Sequence, residues 1–126
     1  MLIYHIIPRA VWLAAQQQSR YAPQSLQTEG FIHCSTWGQV KRVADASYRE
    51  VPELLLLCID AGRLQAELRW EAPVHPETGP APTTQNAERF PHLYGSLNFD
   101  AITDVLSLDK HADGQHIMPE KPSDDG

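Results

Sequence analysis

A chain of 126 residues with a formal net charge of −6 suits one domain, large enough to bury roughly two-thirds of its unfolded surface. Its ten Lys and Arg are scattered, and an acidic domain without a basic stripe is a poor nucleic-acid binder. An apolar run such as Leu54 to Ile59 is far short of a membrane span.

Leu2 to Ile7 is β-branched and aromatic, the pattern of a strand. Alternation groups Leu2, Tyr4 and Ile6 on one face and Ile3, His5 and Ile7 on the other. His5 therefore lies between two isoleucines, where desolvation favours the neutral imidazole. The N-terminus has neither a basic segment nor a small-residue cleavage site, so a signal peptide is not expected. Pro8 is placed to open a helix, with Val11, Trp12 and Ala15 as its apolar stripe. Arg20 to Glu29 reads as a surface loop, and its length of about ten residues marks it as functional or mobile.

Glu29-Gly30 reads as a turn and Phe31 to Ser35 as a short strand. Thr36 followed by Gln39 is a capping-box signal, after which Val40, Val43, Ala44 and Tyr48 fall on one helix face. Phe31, His33 and Ser35 share one face of the strand; Ile32 and Cys34 share the other. A His and a Ser beside a helix N-terminus could receive a polar or anionic ligand. The competing reading is a buried His bonded to a neighbouring carbonyl. Cys34 and Cys58 both sit in apolar strand patterns, which points to reduced core thiols and a cytoplasmic setting.

Pro52 breaks the helix pattern, and Glu53 to Asp60 has a continuous apolar centre. That is the signature of a strand covered on both faces, in the middle of a sheet. Leu64, Ala66, Leu68 and Trp70 alternate with Gln65, Glu67, Arg69 and Glu71, as in a half-exposed antiparallel strand. Pro73 to Asn86 reads as a flexible loop. Glu88 to Gly95 restores aromatics around His92, and Phe99 to Leu108 reads as the last strand. From Asp109 to Gly126 a disordered tail is expected, with His111 and His116 chemically idle. Residues 1–108 then form a single α+β domain and residues 109–126 its tail.

No Gly-rich phosphate loop, HExxH, CxxC or GxSxG occurs. The chemistry-bearing residues left are His5, His33 and His92, expected to converge on one cleft with Ser35, Thr36 and Tyr94. Neutral imidazoles there could bind a polar ligand or move a proton, which contributes about 10²- to 10⁴-fold in rate. A three-His zinc site is the alternative, although no pair has the short local spacing such sites often use. Arg89 could hold a phosphate bidentately, or pair with Glu88 or another acid.

Leu2-Ile3-Tyr4-His5-Ile6, Trp12, Ser25-Leu26, Glu29 to Ser35, Gln39-Val40, Ala44, Tyr48, Ile59-Asp60 and Phe90-Pro91-His92-Leu93-Tyr94-Gly95 together resemble the bacterial "domain of unknown function 952" family. The resemblance covers about residues 2–108. It implies a fold similar to that of ADP-ribosyltransferases: two small, mainly antiparallel sheets flanking a nicotinamide-dinucleotide (NAD) cleft, with two or three helices. By that resemblance His5 matches the first-motif His that holds the adenosine ribose. His33 or Phe31 would stack on nicotinamide, with Ser35 and Thr36 near the same pocket. The third-motif Glu has no clear counterpart; Glu88 is the nearest acid. The resemblance thus implies an NAD or ADP-ribose-like small-molecule ligand, with transferase or glycohydrolase activity open. The alternative is a binding module that keeps the fold without the chemistry. Neither a nucleic-acid nor a membrane partner is expected.

Overall fold

The computed structural model describes residues 1–72 and 88–123. Strand β1 (Leu2–Pro8) leads into α1 (Arg9–Ala15), then β2 (Arg20–Tyr21), the single turn α2 (Ser25–Thr28), β3 (Ile32–His33) and α3 (Trp37–Ser47). After β4 (Leu54–Asp60) come β5 (Glu67–Glu71), β6 (Phe90–Tyr94), β7 (Leu97–Asn98), β8 (Ile102–Lys110) and β9 (His116–Ile117). The chain is α+β; the described residues form three helices and three antiparallel sheets of order β1-β4-β8-β9, β3-β6-β5 and β2-β7. No helix among the described residues is long and apolar enough to cross a membrane.

The apolar run Leu54 to Ile59 is explained by the position of β4 between β1 and β8. Leu57 and Ile59 join Ile3 and Ile7 in a core against Ile32, Cys34 and Leu93 of the three-stranded sheet. Leu54, Leu56 and Cys58 join Tyr4 and Ile6 in a second core against Val40 and Ala44 of α3. Each large side chain fully buried there contributes about 1.5–3 kcal/mol. The helix is placed by the capping box: the Thr36 N–H donates to Gln39 Oε1 at 2.9 Å, and the Thr36 side chain accepts from the backbone N–H of Gln39.

The two larger sheets share one strand crossing. Tyr4 and Ser35 exchange both backbone hydrogen bonds, at 2.8 and 2.7 Å, while the Cys34 N–H turns to the Pro91 carbonyl of β6. The segment Phe31–Ser35 therefore begins in the three-stranded sheet and ends against β1.

Several expectations are corrected. Pro8 caps α1 from outside with extended backbone, φ −62° and ψ 142°, and does not form its first turn. The expected loop Arg20–Glu29 contains β2 and α2. Phe99–Ala101 is a 3₁₀ turn before β8. The expected tail differs most: β8 runs on to Lys110, the chain reverses through Gly114 with φ +93°, and β9 pairs back at Asp109–Ile117 and Lys110–His116. A glycine suits that reversal because a Cβ disfavours the left-handed region. The expected loop Pro73–Asn86 lies outside the described residues.

Candidate functional site

The three histidines sit on three neighbouring strands, in two chemical situations. His5 occupies the fork where β3 leaves β1. Its Nδ1 lies 2.6 Å from the His33 carbonyl oxygen and its Nε2 3.0 Å from the Tyr21 hydroxyl. A carbonyl only accepts, so Nδ1 carries the hydrogen and Tyr21 donates to Nε2. Burial lowers the His5 pKa to about 4, against the opposing effect of the His33 carbonyl. His5 is neutral at pH 7 with both nitrogens engaged, the outcome the flanking isoleucines predict.

His33 and His92 are direct cross-strand partners, and Arg69 of β5 is the next residue in that row. Because strand side chains alternate, Ile32, Leu93 and Leu68 pack inward while His33, His92 and Arg69 share the opposite, outer face, where the His92 side chain is itself covered and only 2% exposed. Phe31 lies at the centre of that face. Its ring stacks on His92 with centroids 4.0 Å apart and planes at 19°, and stands 4.8 Å from His33 and 5.3 Å from Tyr94.

Each imidazole of this face has a carboxylate. His33 Nε2 lies 2.9 Å from Glu29 Oε2, and both side chains are partly exposed. Glu29 ends α2, and Gly30 at φ +93° turns the chain so that residues 29 and 33 meet. His92 Nδ1 lies 2.8 Å from Glu71 Oε1, and the Tyr94 hydroxyl donates to the same oxygen at 2.6 Å. Those two donors, Tyr94 first, hold the Glu71 carboxyl below the usual carboxylate range. The same bond raises the Tyr94 phenol. The Arg69 guanidinium lies 4.4 Å over the Tyr94 ring and is bound to Glu67 at 3.0 and 3.1 Å.

The other expected site residues fall elsewhere. Ser35 is buried, its backbone committed to Tyr4, and Thr36 caps α3. Arg89 is exposed and offers its carbonyl to Gln39 Nε2 at 2.8 Å. Glu88 pairs with Arg42 and Gln39 of α3, not with Arg89. Phe31 is too covered to offer a stacking face as it stands, whereas the His33 side chain is 36% exposed. Burial pushes the Cys34 thiol up to about 12, which makes it inert as a nucleophile.

Sequence reasoning missed Glu29, Glu71, Arg69 and Tyr21. Glu29 had a signal, four residues before His33. Glu71 had only its place on the polar face of β5, and the pairing with β6 that gives it meaning is not written locally. Among the described residues no group of three or more His, Cys, Asp or Glu could hold a metal ion. A groove of about 600 Å³ between Arg9, Glu53, Ser107 and Lys110 touches none of the histidines. Within it Arg9 pairs with Glu53, and Lys110 donates to the Arg49 and Val51 carbonyls.

The family described as "Protein of unknown function (DUF952)" matches residues 6–105. The chain belongs to that family. The crystal structure of protein CC0527 from Caulobacter crescentus is 35% identical, with a TM-score of 0.76, over 93% of this chain and 94% of that one. A double mutant of CC0527 gives 34% and 0.75 over the same shares. Its solution NMR structure gives 36% and 0.70 over 90% of each chain. Among curated proteins none matches this DUF952 chain.

Proposed function

We propose that the outer face of β3-β6-β5 binds a nicotinamide dinucleotide or an ADP-ribose-like ligand, on a fold of the ADP-ribosyltransferase kind. The observation that carries the reading is the pair of carboxylate-bound imidazoles, His33 with Glu29 and His92 with Glu71, set side by side around Phe31. Next to them, two sheets part at a fork held by His5. An apolar ring flanked by polar groups of fixed orientation suits a flat heterocycle carrying hydroxyls. The exposed His33 ring is the stacking surface in this reading, and Glu71 supplies the carboxylate that no residue near Glu88 supplies.

A second reading, binding without turnover, is favoured by one observation: His5, buried and neutral, has both nitrogens engaged and none left to exchange a proton with a ligand. Thermal melting with NAD or ADP-ribose tests binding, and free nicotinamide tests turnover. Ligand at about 100 times its dissociation constant adds roughly 2.7 kcal/mol, a shift of several degrees for this chain length. His33→Ala should abolish the shift, and His111→Ala, in an exposed turn, should leave it intact. Steady nicotinamide release supports an enzyme; binding without release supports the module. No shift with either nucleotide removes the reading.

A further inference from the structure

We propose that the face of α1 turned away from the core is where a second copy of this chain docks. The two α1 helices are related by a two-fold axis, with Arg9 of each copy set against Glu53 of the other.

A surface helix ordinarily carries polar or charged residues on the side away from the core. α1 reads Arg-Ala-Val-Trp-Leu-Ala-Ala. Its Trp12 and Ala15 pack toward the first core. At about 100° per residue, Ala10, Leu13 and Ala14 point the other way, with Val11 at the margin. All four are exposed, Val11 at 43% and Leu13 at 51%, and no side chain of the helix is fully buried. A helix that is apolar on every side belongs in a buried place, and the single chain covers one side of this one.

Beside the helix lies an open depression of about 400 Å³, walled by Ala10 and Leu13 on one side and by Val51 and Pro52 on the other. A ridge and a hollow on one face are self-complementary under a two-fold rotation: the Leu13 ridge of each copy enters the hollow of the other. Ala10 and Ala14, small residues one turn apart, let the two helices approach closely.

Charge selects the occupant. The chain carries −6 overall, so much of its surface repels a second copy. The charged residues of the depression are Arg9 and Glu53, one of each sign, bonded at 3.1 Å with side chains 57% and 64% exposed. The two-fold rotation brings each beside its opposite on the other copy. A lipid surface fits less well, because anionic headgroups recruit clusters of basic residues and α1 has Arg9 alone. One short helix and residues 51–53 fall below the about 20–30 residues that a stable interface places on each side. The dimer should therefore part on micromolar dilution.

Sedimentation velocity of the full chain at low salt, from about 1 µM to 1 mM, should show monomer giving way to dimer. Leu13→Glu would bury an unpaired carboxylate in the contact and should weaken the dimer at least about tenfold while keeping the parent melting curve. Ala14→Glu, also at an exposed position, serves where Leu13→Glu lowers the melt. Mixing tests the arrangement across the axis. Arg9→Glu and Glu53→Arg each set like charges against one another, within the chain and across the axis, and should each dimerise at least about tenfold more weakly. Mixed in equal amounts the two variants should dimerise again, since only the mixed pair sets opposite charges across the axis. A parent chain that stays monomeric throughout overturns the proposal. So does a dimer that survives both Leu13→Glu and Ala14→Glu, or a mixture that associates no better than its components. A parent chain that sediments with phosphatidylcholine vesicles while Leu13→Glu does not also overturns it, giving the face to lipid.

Discussion

Two regions of the molecule carry a histidine bonded through Nδ1 to a carboxylate, and they are built differently. At the C-terminal end of α3, Asp45 Oδ1 accepts from the His116 N–H at 2.7 Å and from its Nδ1 at 2.9 Å, while Lys41 reaches Oδ2 at 2.6 Å. Its side chain is 20% exposed and that of His116 is 0% exposed. On the outer sheet face the carboxylate of Glu71 is 36% exposed and takes both of its donors on a single oxygen. The first pair is a clasp that fastens β9 to α3. The second is open to solvent on its carboxylate side. A histidine–carboxylate distance near 2.9 Å therefore says little by itself. Both imidazoles are buried, His92 at 2% and His116 at 0% exposure, so the pairs differ in their carboxylates: how far each is exposed and which other groups it holds.

The comparison breaks most visibly at the clasp. Asp45→Ala leaves two buried donors of His116 and the Lys41 ammonium without their acceptor, so a loss of about 2–4 kcal/mol is expected. Urea unfolding measures it; a loss no larger than that of an exposed substitution would mean that β9 is not fastened by this pair. Glu71→Gln should leave the urea midpoint close to that of the parent chain.

Acid titration sharpens the contrast further, because the groups act in separate windows. His5 has a folded pKa lowered to about 4 from 6.5. Between those values the unfolded chain binds the extra proton, so stability falls as pH drops from about 6.5 to 4, by about 2–3 kcal/mol. Asp45 is lowered to about 2 from 3.8: burial opposes this, but the bonds from Lys41 and His116 outweigh it. Its contribution is complete above the unfolded value and is lost as pH falls from about 4 to 2, by about 1–2 kcal/mol once solvent screening is allowed for. His5→Gln should flatten the upper window alone, and Asp45→Asn the lower one. Stability profiles that keep both slopes in both variants would contradict the assignment.

Where the sequence speaks locally, it speaks clearly. The alternation of Leu2 to Ile7, the apolar run of β4 and the Thr36–Gln39 cap each depend on residues within a few positions of one another, and each is found. The desolvated, neutral His5 follows from its two isoleucine neighbours. β9 was hidden because Asp109 to Gln115 is polar and turn-forming, and Ile117-Met118 is too short an apolar signal to announce a strand. What holds it is Asp45, some seventy residues earlier. The outer face was half visible for a related reason. Phe31, His33, His92 and Tyr94 stand out as polar or aromatic interruptions, whereas Glu71 looks like any exposed strand acid until β5 is laid against β6.

The shared crossing at Tyr4 and Ser35 has a mechanical consequence. Both backbone bonds of that pair, and the His5 bond to the His33 carbonyl one step away, would have to break before the sheets could slide apart at the fork. The amides of Tyr4 and Ser35 should therefore exchange with solvent only when the whole domain opens, at the rate of the innermost amides of β4. A ligand of the proposed kind would meet a riveted frame at the histidines: it would gain room by turning side chains such as Phe31 and His33, while the backbone beneath them stays still.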